Sequence, residues 1–146
     1  MSIEVTGLEA LRRNLKDLAD KVGKETAKAI NEGAQMVRTD AIKSIQNKST
    51  GRKVVRYRNG KKRNRIAAAA GQAPNTDTGH LVKSIQVEVS PQAKGAYVGS
   101  NLDYAKDLEL GTKNMKPRPW LEPAYEKNIK GIRKLISLAI RKEVSK

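Results

Sequence analysis

The 146-residue sequence predicts an α+β fold: a small antiparallel sheet packed against N-terminal and C-terminal helices, with a long basic hairpin loop. Three observations carry that reading. Apolar residues recur at helical spacing near both ends. A strictly alternating segment, "IQVEVS" (85–90), lies between them, and "VVRYRNGKKRNRI" (54–66) has the form of two strands joined by Asn-Gly.

At the start of the chain Ile3 and Val5 alternate with polar residues as a short strand would, and Thr6 with Glu9 forms a capping box. Leu8, Leu11, Leu15 and Leu18 then mark one apolar stripe on a charged helix, which Gly23 is placed to interrupt. A second helical pattern, from about 24 to 45, sets Ile30, Ala34, Val37, Ala41 and Ile45 on one shallow face suited to close packing. Asn59-Gly60 is the favoured two-residue hairpin turn. Isolated two-stranded hairpins are marginal in water, so this one is expected to be a mobile excursion that orders on assembly or binding.

"AAAAGQAPNTDTG" (67–79) reads as linker, broken by Gly71, Pro74 and Asn75. Thr78 or Asp77 can cap a short helical turn through "GHLVKSI". In the strand that follows, Ile85, Val87 and Val89 share one face and Gln86, Glu88 and Ser90 the other, and "PQAKG" turns the chain into a second strand, Ala96–Ser100. "LDYAKDLELG" is a short helix stopped by Gly111, and Pro117 and Pro119 keep the next segment irregular. Pro123 sits in the first turn of the last helix, whose expected buried face is Leu121, Tyr125, Ile129, Ile132, Ile136 and Ile140. No repeat is evident, and the length suits a single domain over 1–146 with a flexible basic loop at about 47–76.

Composition limits the core. There is no Phe, one Trp and four Tyr, so small aliphatic side chains must do most of the packing. A fold of this kind often leans on neighbouring subunits. The formal net charge is +15, and no acid stands between Asp40 and Asp77, an interval holding ten cations. Eight of them lie in the arm: Arg52, Lys53, Arg56, Arg58, Lys61, Lys62, Arg63 and Arg65. Such a surplus implies an anionic partner, most often nucleic acid, less often a membrane face or an acidic protein. The absence of cysteine excludes disulfides, thiolate nucleophiles and Cys-ligated metals. The longest apolar run, 66–70, is too short to span a bilayer, and the first residues lack the pattern of a secretory signal. A soluble protein made and used, or assembled, in the cytoplasm is the expectation.

Catalytic signals are weak. His80 is the one histidine, so neither a multi-His metal site nor a Ser-His-Asp triad can be built within one chain. "STGRK" (49–53) lacks the spacing of a phosphate-binding loop. Asp103 and Asp107 would share a helix face near Glu109, where carboxylates could hold Mg²⁺ for a nuclease, although a solvated acidic edge is the commoner outcome. No enzyme, metal or cofactor is expected. The arm has one residue able to stack on a base, Tyr57, and no recognition helix or zinc finger accompanies it. Sequence-independent DNA contact and docking on an acidic protein are equally favoured for it.

Two clusters, "GQAPNTDTGHLVKSI" (71–85) and "YAKDLELGTKNMKPRPWLEPA" (104–124), occur in this order around a two-strand hairpin. Together they resemble the minor tail-component family of long-tailed bacteriophages and prophages, which comprises tail-completion and head–tail joining (neck) proteins. Gly71, Pro74, Thr78, Gly79, Leu81, Ser84 and Ile85 fall on its Gly-x-x-Pro…Thr-Gly-x-Leu-x-x-Ser-Ile element. Tyr104, Ala105, Glu109, Gly111 and Thr112 fall on Tyr-Ala…Glu-x-Gly-Thr. Arg118, Pro119, Trp120, Leu121, Pro123 and Ala124 follow Arg-Pro-Phe-Leu-x-Pro-Ala, with Trp120 where Phe is usual. Leu110 is a less usual filler, and "VTGLEALRRNLKDL" matches the family's opening helix.

The resemblance implies a non-enzymatic virion protein of the head–tail junction, assembled in the host cytoplasm. It implies a ring, hexameric for preference, stacked on connector and tail proteins, with non-specific DNA contact and no membrane partner. The motif positions would serve the fold or a subunit interface, most of them the fold, with Glu109 and Arg118 as surface or subunit contacts; a Glu of one subunit bonded to an Arg of the next would fix ring register. The rival expectation is a small sequence-independent DNA- or RNA-binding protein acting through its basic arm.

Overall fold

The computed structural model describes residues 8–47, 49–90 and 95–145. Its first element is one unbroken helix, α1 (Leu8–Gln46), 39 residues long. The interruption predicted at Gly23 does not occur. A glycine inside a helix costs only about 1 kcal/mol relative to Ala, and good helix formers flank it on both sides without a proline. The predicted strand at Ile3 and Val5 and the Thr6 cap lie outside the described residues.

Two hairpins follow as separate two-stranded sheets. β1 (Lys53–Arg58) pairs antiparallel with β2 (Lys61–Ile66), and β3 (Ile85–Val89) with β4 (Ala96–Ser100). A single helical turn, α2 (His80–Ser84), leads into β3. α3 (Asp103–Leu110) and α4 (Glu122–Val144) complete the α+β architecture, with the long helices flanking the strands. The alternation read from "IQVEVS" is seen in β3, where Ile85, Val87 and Val89 turn inward while Gln86 and Glu88 stay exposed.

The core sits where α1, β3 and the start of α4 converge. Val37, Ala41 and Ile45 of α1 meet Leu81, Ile85, Ala105, Trp120 and Ala124. Trp120 is the aromatic ring of this cluster, and all four Tyr are exposed.

The predicted face of α4 is turned in only in part: Leu121 and Ile132 pack against the core and Ile129 and Ile136 are half-buried. Ala124, Asn128 and Glu143 are buried, whereas Tyr125 is 51% and Ile140 38% exposed. The reason lies in α1, which offers a strip of Ala29, Gly33, Ala34 and Ala41 against which the helices approach closely. At Gly33 an added methyl carbon would lie 2.8 Å from Ile132 Cγ1. Ile132 therefore enters this seam opposite Gly33, and a polar group lies one turn before it. Asn128 Nδ2 donates to Asp40 Oδ2 and to the Ala124 carbonyl, both at 2.8 Å. Lys127 Nζ lies 3.0 Å from the same Asp40 oxygen. The Asn128 and Lys127 hydrogen bonds hold the Asp40 carboxyl below its ordinary range.

Two measurements check this account. Gly33→Val should destabilise by roughly 1–3 kcal/mol through overpacking, whereas Gly23→Ala, whose new carbon meets nothing within 4 Å, should stabilise by about 1 kcal/mol. Urea unfolding followed by circular dichroism reads both. Because the Asp40 pKa is lowered by folding, its contribution is complete above the unfolded value and lost as pH falls through the folded one. The melting temperature should therefore drop below about pH 4, and Asp40→Asn should flatten that part of the acid limb.

Candidate functional site

The basic arm is a complete ladder within a single chain. Asn59 (φ 50°) and Gly60 (φ 70°) make the left-handed turn that Asn-Gly predicts. Directly opposed residues share a face of a hairpin, and here Arg56 opposes Arg63, Arg58 opposes Lys61 and Val54 opposes Arg65. One face therefore gathers Arg56, Arg58, Lys61, Arg63 and Arg65. The other mixes Lys53, Tyr57 and Lys62 with Val55, Asn64 and Ile66. The even distribution of cations along the sequence conceals this sorting, which register alone decides.

The predicted linker instead laces the base of the arm to the body. Asn75 Oδ1 accepts from the Ser49 amide at 2.9 Å, and its Nδ2 donates to the Ile66 carbonyl at 2.6 Å. Thr76 Oγ1 donates to the Ile45 carbonyl at 3.1 Å. Gly51 is obligatory here, since an added carbon would lie 1.6 Å from the Ala67 carbonyl oxygen. Asp77 faces Arg56 Nη1 at 3.6 Å and Arg65 Nε at 3.4 Å. Among the described residues Arg52, Lys53, Arg58, Lys61, Lys62 and Arg63 have no acidic partner.

Glu109 occupies the other structural centre. Its Oε2 accepts from the Trp120 amide at 2.8 Å and the Leu121 amide at 3.1 Å, and its Oε1 from the Glu122 amide at 2.8 Å. The first amides of α4 have no partner within the helix, so a carboxylate from α3 serves as their cap. The connecting loop is tight. The Arg118 amide donates to the Leu108 carbonyl at 2.7 Å, and Thr112 and Met115 exchange backbone bonds at 2.8 and 3.1 Å. Gly111 (φ 76°) closes it, because a side chain would strike the Met115 carbonyl at 2.7 Å. Trp120 is buried beneath, its Nε1 donating to the Ala105 carbonyl at 3.4 Å. Glu109 was expected to be a surface or subunit contact; within the chain its oxygens accept these three amides. The cap escapes a sequence reading because its two halves stand eleven to thirteen residues apart. Arg118 is half-buried, and its Nε has no hydrogen-bond partner.

The other motif positions gather around this centre. Leu81, Ile85, Ala105, Trp120 and Ala124 share one core cluster. Pro74 is buried, and Gly71 (φ 77°) donates its amide to the Pro117 carbonyl at 2.9 Å. Gly79 (φ 77°) precedes α2, and Ser84 and Ser100 bond through their hydroxyls at 2.7 Å. Thr78, Tyr104, Thr112 and Pro123 are exposed, Pro119 and Leu121 half-buried. Asp103 and Asp107 remain on the exposed side of α3, apart from the capped Glu109 carboxylate. Beside the core, α1, α4, β4 and the end of α3 enclose an apolar groove of about 610 Å³.

Comparison with known proteins decides the family. The family model "Bacteriophage HK97-gp10, putative tail-component" matches residues 9–111. The chain belongs to that family. It is a phage structural tail protein, a virion component that works in contact with other phage proteins. The motif resemblance and the family match agree on a phage tail component. The match spans α1, the basic arm, α2, both strands of the second hairpin and α3, and ends at Gly111, before Trp120 and α4. No curated protein and no solved structure matches the chain. No described helix is long and apolar enough to cross a membrane.

The Glu109 cap makes a direct prediction. Glu109→Ala should destabilise by roughly 1–3 kcal/mol, with Glu109→Gln intermediate. Trp120 is the one tryptophan of the chain, so its fluorescence should shift to the red in Glu109→Ala as α4 loosens and water reaches the ring.

Proposed function

We propose that this tail component acts without catalysis at the junction of phage head and tail, forming or joining a ring that completes the tail and connects it to the head. The whole chain, 1–146, acts as one tail-completion-like domain, with the segment at about 47–76 as its flexible basic loop. A hexamer is the favoured ring, with neighbouring connector and tail proteins stacked on it and DNA passing through its centre. The chain assembles in the host cytoplasm. The observation that carries the reading, beside family membership, is the sorted cationic face of an arm that stands clear of the core. Arg56, Arg58, Lys61, Arg63 and Arg65 share that face. Asp77 answers Arg56 and Arg65 at the base of the arm, and Arg58, Lys61 and Arg63, which have no acidic partner among the described residues, suit an anionic surface, either passing DNA or an acidic patch on an adjacent ring.

The same face also favours the rival of a small DNA- or RNA-binding protein whose arm is its purpose. Two experiments separate them. Complementing a phage that lacks this gene with a chain deleted for 53–65 should leave heads and tails unjoined; normal yields of infectious particles would sink the role given to the arm. Titration of generic duplex DNA should give a dissociation constant in the range of about 10⁻⁶ to 10⁻⁴ M at physiological salt. Submicromolar binding by a monomer would favour the rival. In either case, replacing Arg58, Lys61 and Arg63 by Gln should lower the slope of log affinity against log salt by roughly 0.9 for each phosphate no longer neutralised.

A further inference from the structure

Where the arm joins the body, β1, β2, the segment before α2 and the loop before α4 enclose a cavity of about 190 Å³. Its charged lining is Arg56 and Arg65 from the arm, Arg118 from the loop and Asp77 from the segment before α2, so three guanidiniums share one carboxylate. Asp77 lies 3.4 Å from Arg65 Nε and 3.6 Å from Arg56 Nη1, longer than a good charged hydrogen bond. Arg118 has no such neighbour. Its Nε is buried without a hydrogen-bond partner, and no acid among the described residues pairs with its guanidinium. Glu109, on the adjoining α3, is committed to the amides of α4. A guanidinium carries five donors and keeps its charge in proteins. Holding it half out of water with none of them used is a cost that an anion would remove.

We propose that this cavity binds one carboxylate carried on a side chain of a neighbouring phage protein, with Arg118 as its principal partner and Arg65 and Arg56 beside it. Three observations favour that ligand over nucleic acid. The lining carries two more positive than negative charges, so a single added anion is attracted and the site stays positive. The walls between the charges are apolar, from Val54, Ile66 and Leu108, and suit the methylene stem of a Glu better than a sugar-phosphate backbone. Duplex DNA presents its phosphates as a continuous series, one charge for about every 1.7 Å of axis. Such a series matches Arg58, Lys61 and Arg63 along the ladder but would meet Asp77 at the base. The inference rests on the reading of the chain as a junction component that works against phage neighbours, and it names the anionic partner at the base of the arm.

The probe is a capped tripeptide with one central Glu, and its Gln counterpart is the control. Titrated into the full chain, the Glu peptide should shift the Arg118 Nε–H resonance saturably and the Gln peptide should not; loss of the resonance in Arg118→Met assigns it. Read at Arg65 Nε–H, Arg118→Met should weaken Glu-peptide binding about tenfold or more, the worth of one charged hydrogen bond. It should leave the melting temperature of the free chain unchanged or higher, because no polar contact is lost. In an infection lacking the natural gene product, Arg118→Met should lower the yield of joined particles at least tenfold. No saturable shift with the Glu peptide would overturn the inference, and so would a shift at Arg118 with generic duplex DNA and none with the peptide. A lowered melting temperature with peptide binding retained would make Arg118 a purely structural residue and overturn it too. Normal joining by Arg118→Met, while the chain deleted for 53–65 fails to join, would overturn the carboxylate site and leave the junction role standing. Normal joining by both would overturn the inference together with the role given to the arm.

Discussion

The carboxylate of Glu109 holding the amides of Trp120, Leu121 and Glu122 is the contact on which the rest of the fold depends. α4 begins straight after a loop containing two prolines, and proline supplies no amide to bond. A helix begun there needs its free amides satisfied from outside, and α3 supplies an anion at the positive end of the helix dipole. This cap fixes the start of α4 over α3 and drives Trp120 into the space between Ala105 and α1. It also sets the line along which α4 descends against the small residues of α1. A core with one large ring has little apolar area to spare, so a polar clamp of this kind carries an unusual share of the specificity.

Much of the architecture is legible where one local signal has no competitor. Asn59-Gly60 dictates a tight hairpin, the alternation of "IQVEVS" dictates a half-buried strand, and Gly111 and Pro123 punctuate α3 and α4 as their backbone chemistry requires. What escapes a sequence reading depends on relations between distant segments. Gly23 has the look of a break, but a modest helix penalty cannot interrupt two strong helical segments. The buried face of α4 is rotated from the one that hydrophobicity alone selects, keeping Leu121 and Ile132 against the core. The seam of small residues on α1 admits Ala124 and Asn128 in close contact and leaves Tyr125 and Ile140 outside. The family motifs are legible as an ordered set, while the Glu109 cap and the sorting of cations to one hairpin face need register and tertiary contact.

The same scarcity of aromatic side chains explains why so much apolar surface stays uncovered. Leu8, Leu11, Leu15, Leu110, Tyr125 and Leu138 are all exposed. A monomer designed to remain alone would distribute polar residues there. In a tail component, these surfaces sit on a protein whose working state includes its neighbours.

The opposed cations of the basic hairpin have a consequence for how salt acts on it. Arg56 against Arg63 and Arg58 against Lys61 repel across the ladder, so the turn and the backbone bonds keep the strands together against their own side chains. Added salt screens that repulsion and steadies the free hairpin, yet the same screening weakens its grip on any polyanion. Folding of the arm and its attachment therefore respond to ionic strength with opposite signs. Asp77 already bridges Arg56 of β1 and Arg65 of β2 at the base of the arm; a bound anion that neutralises both strands nearer the turn adds a second cross-strand staple and makes occupancy and order of the arm a single equilibrium.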